Sequence, residues 1–526
     1  MVHIRSLLAL AALEAFSTAA PTSSPTVVRA STGYYQGQID ANFTNVREFL
    51  SVPFGQTTAG SNRWMPPKAV PMSSNTFNAT AYPPACPQYV SAIPTIWNQQ
   101  IPQYLQYWGN ANNSAGESAV FASEDCLKLA IWTPANATAG SNLPVALFWT
   151  GGGFQTNGIL VPGQLPQRWV SLSQSHIVVT INYRMNIMGF PNAAGLYDQN
   201  LGLLDQRLSL EWVRDNIPYF GGDASKIMIW GQSAGAASVD YHNYAFWDDP
   251  IAHGIFAESG NAIMGSPWRD NSNFTFVAQN LGCNYSNNAS QELACMQQVD
   301  YNKIINFMGQ YQDNSTLVNP KQPSITFSTV ADERVVFHNN TVRYEEGFVS
   351  KIPIIYSSVA NEGGSLQPYP VNNPYNGTNQ SLANSITESL SLCTGATSTQ
   401  LRHSIGLPTF RYQYAGNWSN QDPLPWMGAF HSSDLVMLFG AYTDGEGPCC
   451  EPLEAETSKT MGEYILAFMR DPWNGPQTKG WYPMDPTADN GGTMLRFGAD
   501  GKAVQNVTGY EVEGVCFGTN TYNPFP

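Results

Sequence analysis

Charge is scarce in this chain: Asp, Glu, Lys and Arg together make up only 12% of its 526 residues. Basic residues are the rarer kind, 24 Lys and Arg against 39 Asp and Glu, for a net charge of -15. No cluster of Lys or Arg stands out, and a protein that grips phosphate backbones needs one. Nucleic acid is excluded as a partner. Disorder is excluded too, because 43% of the residues are hydrophobic and 12% aromatic, enough for an ordinary globular core. Beyond the N-terminus no apolar stretch approaches the roughly 20 residues that a spanning helix needs. None of the eight cysteines forms a Cys-x-x-Cys pair, which speaks against metal ligation. The adjacent Cys449 and Cys450 are too strained a geometry to be the default bridge.

What is present at the N-terminus is a basic start, Met-Val-His-Ile-Arg, and an apolar run from Leu7 to Leu13. Small residues Ser17 to Ala20 follow before Pro21. That order predicts a secretory signal peptide over residues 1–20. The C-terminal Asn523-Pro524-Phe525-Pro526 is neither a hydrophobic tail nor a retention signal. Thirteen Asn-x-Ser/Thr acceptors are N-glycosylation candidates: Asn42, Asn78, Asn112, Asn136, Asn273, Asn284 and Asn288, then Asn314, Asn339, Asn376, Asn379, Asn417 and Asn506. In an exported chain the cysteines suit disulfides. A secreted, acidic glycoprotein is expected.

Short apolar runs of strand length recur along the chain, at Val145–Trp149, Ile177–Ile181, Ile227–Trp230 and Ile352–Tyr356. Between the second and third, apolar residues at helical spacing run from Leu204 to Ile217. Strands apolar on both faces, alternating with helices, predict a largely parallel sheet covered on both sides. Residues 260–350 and 365–405 read as helical and polar insertions. With no internal repeat and no long linker, one α/β domain is expected over residues 21–526.

The chemistry centres on Gly231-Gln232-Ser233-Ala234-Gly235. With 45 glycines in the chain, such a pattern arises by chance roughly 0.3 times, so its setting decides its meaning. An apolar strand runs straight into Gly231 and a helix-forming stretch follows from Ala234 to Tyr244. A serine on that strand-to-helix turn is lifted clear of the sheet with its hydroxyl exposed. To act as a nucleophile it needs a base and a holder for the oxyanion. Thr150-Gly151-Gly152-Gly153-Phe154 directly follows another strand, and its glycines let backbone N–H groups converge. A phosphate-cradling loop would require a following Lys-Ser/Thr, which is absent.

Seven histidines are present. His3 falls in the leader, and His176 opens a strand, where packing or capping is its expected role. The base must come after the acid, on a loop late in the sheet, and His431 meets that requirement. The acid must lie between Ser233 and His431 at the end of a strand. Glu362, just after the Ile352–Tyr356 run, fits best; Asp332 and Glu333 lack such a strand.

Together these stretches resemble the type-B carboxylesterases, the carboxylesterase, cholinesterase and lipase family of α/β hydrolases, in its secreted fungal branch. Further matches are Arg63-Trp64-Met65-Pro66-Pro67, Glu124-Asp125-Cys126-Leu127, Asn182-Tyr183-Arg184 and Phe220-Gly221-Gly222-Asp223. The resemblance implies an α/β-hydrolase fold with Ser233 as nucleophile, His431 as base and Glu362 as acid. It implies oxyanion donors at Gly152, Gly153 and Ala234, and places Ser259 beside the acid and the histidine. It also implies the disulfides Cys86–Cys126 and Cys283–Cys295 and a structural ion pair of Arg63 with Glu124. Cys393, Cys449, Cys450 and Cys516 are left with three possible pairings.

One departure bears on substrate. Where the family often carries a glutamate before the nucleophile, this chain has Gln232, and Ala115 to Phe121 lacks the tryptophan that holds choline in cholinesterases. Choline esters are therefore not expected. Within the loop closed by Cys86 and Cys126, the residues Ile96, Trp97, Ile101, Tyr104, Leu105 and Trp108 are expected on one helical face. In the family's fungal lipases the corresponding loop is a flap, which could meet lipid or shape an acyl pocket; a helix simply docked on the body is the alternative and the favoured reading. Ester hydrolysis through an acyl-enzyme is expected, without metal or organic cofactor, on a small-molecule or lipid ester. A lipase or sterol esterase, or an acyltransferase, would use the same triad. A non-catalytic adhesion relative is disfavoured because all three triad residues are present.

Overall fold

A computed structural model describes residues 26–106, 113–264, 267–444 and 451–526. Along the central strands, alternate side chains enter two different apolar layers. Val145, Leu147 and Trp149 join Ile227, Ile229 and Ile255 in one. Ala146 and Phe148 join Met228, Trp230, Phe256 and Ile355 in the other. A strand apolar on both faces at this period of two is stable only in a sheet covered on both sides.

Among the described residues that sheet has eleven strands. In chain order they are β1 (Gln38–Ile39), β2 (Val46–Pro53), β3 (Lys128–Pro134), β4 (Leu143–Trp149), β5 (Ile177–Ile181) and β6 (Gly222–Gln232). There follow β7 (Gly254–Glu258), β8 (Ile354–Val359), β9 (Thr409–Tyr414), β10 (Thr493–Ala499) and β11 (Lys502–Thr508). Across the sheet the order is β11-β10-β9-β8-β7-β6-β4-β5-β3-β2-β1. From β10 to β5 neighbours run parallel. The two margins pair antiparallel. The four expected strands are all present, as β4, β5, β6 and β8, and the expected helix is Leu201–Asn216.

The strand sequence reverses direction between β4 and β6, since β5 lies on one side of β4 and β6 on the other. In an open parallel sheet such a reversal leaves a crevice at the carboxyl ends of the strands. The glycine loop follows β4 and the serine turn follows β6, so the topology brings both candidate motifs to that crevice.

Both insertions are helical. The first carries Ser272–Asn280, Ala289–Met296 and Tyr301–Leu317 around their own apolar cluster, which includes Phe274, Met296 and Ile304. Cys283–Cys295 pins it and Cys86–Cys126 closes the earlier loop. A third bridge joins Cys393 to Cys516; Cys449 and Cys450 lie outside the described residues. Arg63 meets Glu124 through two hydrogen bonds of 2.6 Å, a buried fork-on-carboxylate pair. Of the thirteen glycan acceptors, eleven asparagines are exposed, Asn273 is half-buried and Asn112 lies outside the described residues.

The loop inside Cys86–Cys126 is not one amphipathic helix. It makes a single turn, Ile96–Gln99, capped by Thr95, and then a separate tight turn, Pro102–Tyr104. Pro102 has no N–H to continue the helix and pushes Ile101 out of helical geometry, to φ −133° and ψ 56°. The apolar residues still converge: Ile96, Ile101, Tyr104 and Leu105 are buried, and Trp97 and Tyr104 pack on Phe430. Trp108 lies outside the described residues. Among those residues no helix is long and apolar enough to cross a membrane.

Candidate active site

Between β6 and the helix Ala234–Ala245, Ser233 takes φ 57° and ψ −120°. A residue with a side chain holds that backbone only under strain, the mark of a turn built to present a group. The turn is so tight that glycine is required on both sides. A β-carbon on Gly231 would lie 2.1 Å from the Gly235 carbonyl oxygen, and one on Gly235 would lie 1.9 Å from that of Trp149. The Ser233 amide donates to the Glu258 carbonyl at 2.8 Å, tying the turn to the end of β7.

The glycine loop sits against this turn. A β-carbon on Gly151 would come within 2.9 Å of the Ser233 β-carbon. Gly152 and Gly153 have φ of 112° and 61°, left-handed values that swing their N–H groups away from the sheet. Among the described residues neither N–H has an acceptor. Ala234 opens its helix, so its N–H is one of the donors that a helix leaves unpaired at its positive end. A cavity of about 280 Å³ is lined by Gly152, Gly153, Ser233 and His431, with Trp97, Tyr104 and Leu105 also on its wall.

Glu362 follows β8 in a short turn and is fully buried. Its Oε2 lies 2.5 Å from Nδ1 of His431. A carboxylate only accepts, so Nδ1 carries the proton and Nε2 is the basic nitrogen. The other oxygen, Oε1, accepts from the Val359 amide at 3.1 Å and from the Ser391 hydroxyl at 2.8 Å. Nε2 of His431 lies 3.2 Å from the side-chain nitrogen of Gln232. Gln232 therefore stands where it contacts the base directly and brings no charge to it.

The structure brings Ser233, His431, Gly152, Gly153 and Gln232 to one cavity wall, with Glu362 behind the imidazole. Ser259 has φ 58° and its amide donates to the Ser357 carbonyl, and among the described residues its buried hydroxyl makes no hydrogen bond. The hydroxyl that reaches the acid belongs to Ser391, which sequence reasoning passed over; one serine in a run of Ser, Thr and Leu gives no local signal. Also missed was a buried acid pair beneath the site. Burial pushes Glu258 well above the usual carboxylate range, with the Asp434 charge adding to it. Burial likewise raises Asp434 to about 6, and the Glu258 hydrogen bond works against that rise. The Trp230 indole donates to the Glu258 carboxyl at 2.7 Å, and burial favours the protonated form of both acids. Among the described residues no group of three or more His, Cys, Asp or Glu is placed to hold a metal.

A strained serine, a histidine fixed by a carboxylate and unpaired amides on one cavity wall can together attack an ester carbonyl and hold the resulting oxyanion. The sequence agrees with that reading. The profile of the Carboxylesterase family matches residues 24–390. The chain is 37% identical over 507 residues to a chlorogenic acid esterase of Aspergillus niger, covering 93% of this chain and 94% of that one. It is 33% identical over 546 aligned residues to secreted lipase 5 of Gibberella zeae, covering 98% and 99%. Liver carboxylesterase 1 of Oryctolagus cuniculus is 31% identical over 339 residues, 62% of this chain and 56% of that one. The chain belongs to the carboxylesterase family, enzymes that hydrolyse carboxylic esters.

Proposed function

We propose that the protein is a secreted serine esterase that works through Ser233, His431 and Glu362. The observation that carries this reading is the shared cavity wall of Ser233, His431 and the glycine amides. Nε2 of His431 takes the Ser233 proton as the hydroxyl oxygen attacks the ester carbonyl. Glu362 holds the ring by Nδ1 and balances the positive charge it acquires. The amides of Gly152, Gly153 and Ala234 receive the oxyanion. The carbon–oxygen bond to the alcohol then breaks, and the alcohol leaves with the proton from His431. Water repeats the sequence on the acyl-enzyme and frees the acid. The leader-like order of residues 1–20, a basic start, an apolar run and small residues before Pro21, supports export, as do the three disulfides among the described residues.

The wall supports a compact ester. Alongside Trp97 and Tyr104 it is lined by the polar residues Thr156, Asn157, Gln164 and Gln232. Aromatic faces with a few polar groups suit a short or aromatic acyl ester, in keeping with the relative named for chlorogenic acid. Leu105 and Leu366 on the same wall favour the second reading, a lipase on long chains, in keeping with the other full-length relative. Rates on p-nitrophenyl esters from acetate to palmitate, with wild type and Ser233→Ala, separate the two. The first reading expects a Ser233-dependent maximum at short chains or on cinnamates; the second expects it at C10–C16. Full activity in Ser233→Ala overturns both.

A further inference from the structure

Among the described residues the catalytic carboxylate takes hydrogen bonds from three groups: the imidazole of His431, the Val359 amide and the Ser391 hydroxyl. The third comes from far along the chain and from an unusual piece of backbone. Ser391 lies in Glu388–Leu392, a π-helical turn between the helices Gln380–Thr387 and Cys393–Ser404. Such wide turns displace the residues that follow around the helix axis, and they recur at functional sites.

The same helix face serves the acid in three consecutive turns. A β-carbon on Gly363 would lie 2.1 Å from the Ala383 carbonyl oxygen, so the backbones touch there. The Thr387 hydroxyl accepts from the Gly363 amide at 3.1 Å. Ser391, one turn on, donates to Glu362 itself. Two residues later Cys393 is bonded to Cys516, and from that segment Tyr522 donates to the Ala360 carbonyl at 2.7 Å. The strand end that carries Glu362 is thus held from both sides of one disulfide.

Resting on the Ser233–His431–Glu362 reading above, we propose that Ser391 is a positioning residue for the catalytic acid, held in place by the π-turn and by Cys393–Cys516. Its hydroxyl fixes Oε1, so that Oε2 faces Nδ1 of His431 in a single orientation. Both Ser391 and Glu362 are buried, so water does not replace the hydroxyl if it is removed. Oε1 would keep only the Val359 amide and the carboxylate would be free to turn. The hydroxyl also matters most when the imidazole is neutral and the carboxylate has no cation beside it. Its loss favours the protonated imidazole and moves the acid limb of the pH profile upward.

The experiment compares wild type with Ser391→Ala, Ser391→Thr and Ser233→Ala, by pH dependence of kcat and KM on one p-nitrophenyl ester and by thermal unfolding. Ser391→Ala is expected to lose roughly tenfold in kcat with KM within about twofold, and to shift the acid limb to higher pH. Ser391→Thr, which keeps the hydroxyl, is expected to restore both. A Ser391→Ala enzyme with wild-type kcat and acid limb overturns the proposal. So does a loss that tracks a lowered melting temperature with the limb unmoved, or one that threonine fails to restore. Ser233→Ala keeps the two readings apart: if it retains activity the triad assignment fails, and if it is dead while Ser391→Ala is normal only the positioning role fails.

Discussion

The side-chain nitrogen of Asn361 lies 2.8 Å from the Met427 carbonyl and 3.0 Å from that of Trp426. The Asn361 amide also donates to Ala429 at 2.8 Å. The residue before the acid therefore sews the loop before His431 to the end of β8. That loop has no regular structure of its own to place the histidine, so these three bonds fix the acid–base distance. Asn361→Ala would strip donors from two carbonyls, one of them deeply buried, each worth about 1–3 kcal/mol. The expected result is a melting temperature lower by a few degrees and a kcat lower by about tenfold or more. Wild-type values of both, in thermal unfolding and steady-state assays, would remove Asn361 from the positioning of His431.

A second prediction concerns the oxyanion loop. A β-carbon on Gly152 would lie 2.3 Å from the Thr156 carbonyl oxygen, at a φ of 112° that residues with side chains rarely adopt. Gly152→Ala must move the loop and turn its N–H away from the Ser233 cavity. Losing one such donor lowers kcat on the order of 10²–10³ with little change in KM. Because the loop lies at the crevice and not in the core, the fold should survive, as near-wild-type circular dichroism would report. A Gly152→Ala enzyme with full kcat would move the oxyanion donors elsewhere.

Local pattern carried far into this site. The serine turn and glycine loop were legible because each is a short motif directly after an apolar strand, and β6 and β4 lie where the runs at Ile227 and Val145 predict. Glu362 was legible only as the best of several acids, since its partner is 69 residues away and three-dimensional pairing leaves no local trace. Ser391 and Asp434 were not legible. A buried hydroxyl on a π-turn and a carboxyl raised by burial acquire meaning from packing alone. Apolar spacing alone predicts one helical face at Ile96–Leu105, and Pro102, whose missing N–H ends the helix, overrides it. Trp97, Tyr104 and Leu105 from this loop nonetheless line the cavity.

Gln232 offers a test of charge at the base. Its side-chain nitrogen is 3.2 Å from Nε2 of His431, and both groups are buried. Gln232→Glu would set a carboxylate there. An anion beside the imidazole favours its protonated form, which cannot accept the Ser233 proton. The acid limb of kcat/KM should therefore move to higher pH, by about one unit, while the rate on cationic choline esters rises relative to neutral ones. An unmoved limb would mean that the Gln232 side chain turns away from His431 during turnover.

The buried pair Glu258 and Asp434 makes stability depend on pH in a direction that can be worked out. Burial raises the Asp434 carboxyl from 3.8 to about 6. When the chain unfolds, that group releases its proton near 3.8, so between these values the folded state binds more protons than the unfolded one. Stability then falls as pH rises across the window. The contribution is complete below about pH 4 and is lost by about pH 6, a change on the order of 3 kcal/mol. Asp434→Asn removes this titration and leaves an amide of similar size to meet Glu258 and the Tyr412 hydroxyl, now 3.3 Å from Asp434. The variant should therefore gain on wild type as pH is raised from 4 to 7, by a few degrees in melting temperature. His176 and His242, which burial lowers to about 3, tilt the wild-type curve the other way, but they are common to both proteins and cancel in the difference. A difference between the two proteins that stays constant from pH 4 to 7 would show that Asp434 does not hold or share a proton in this window.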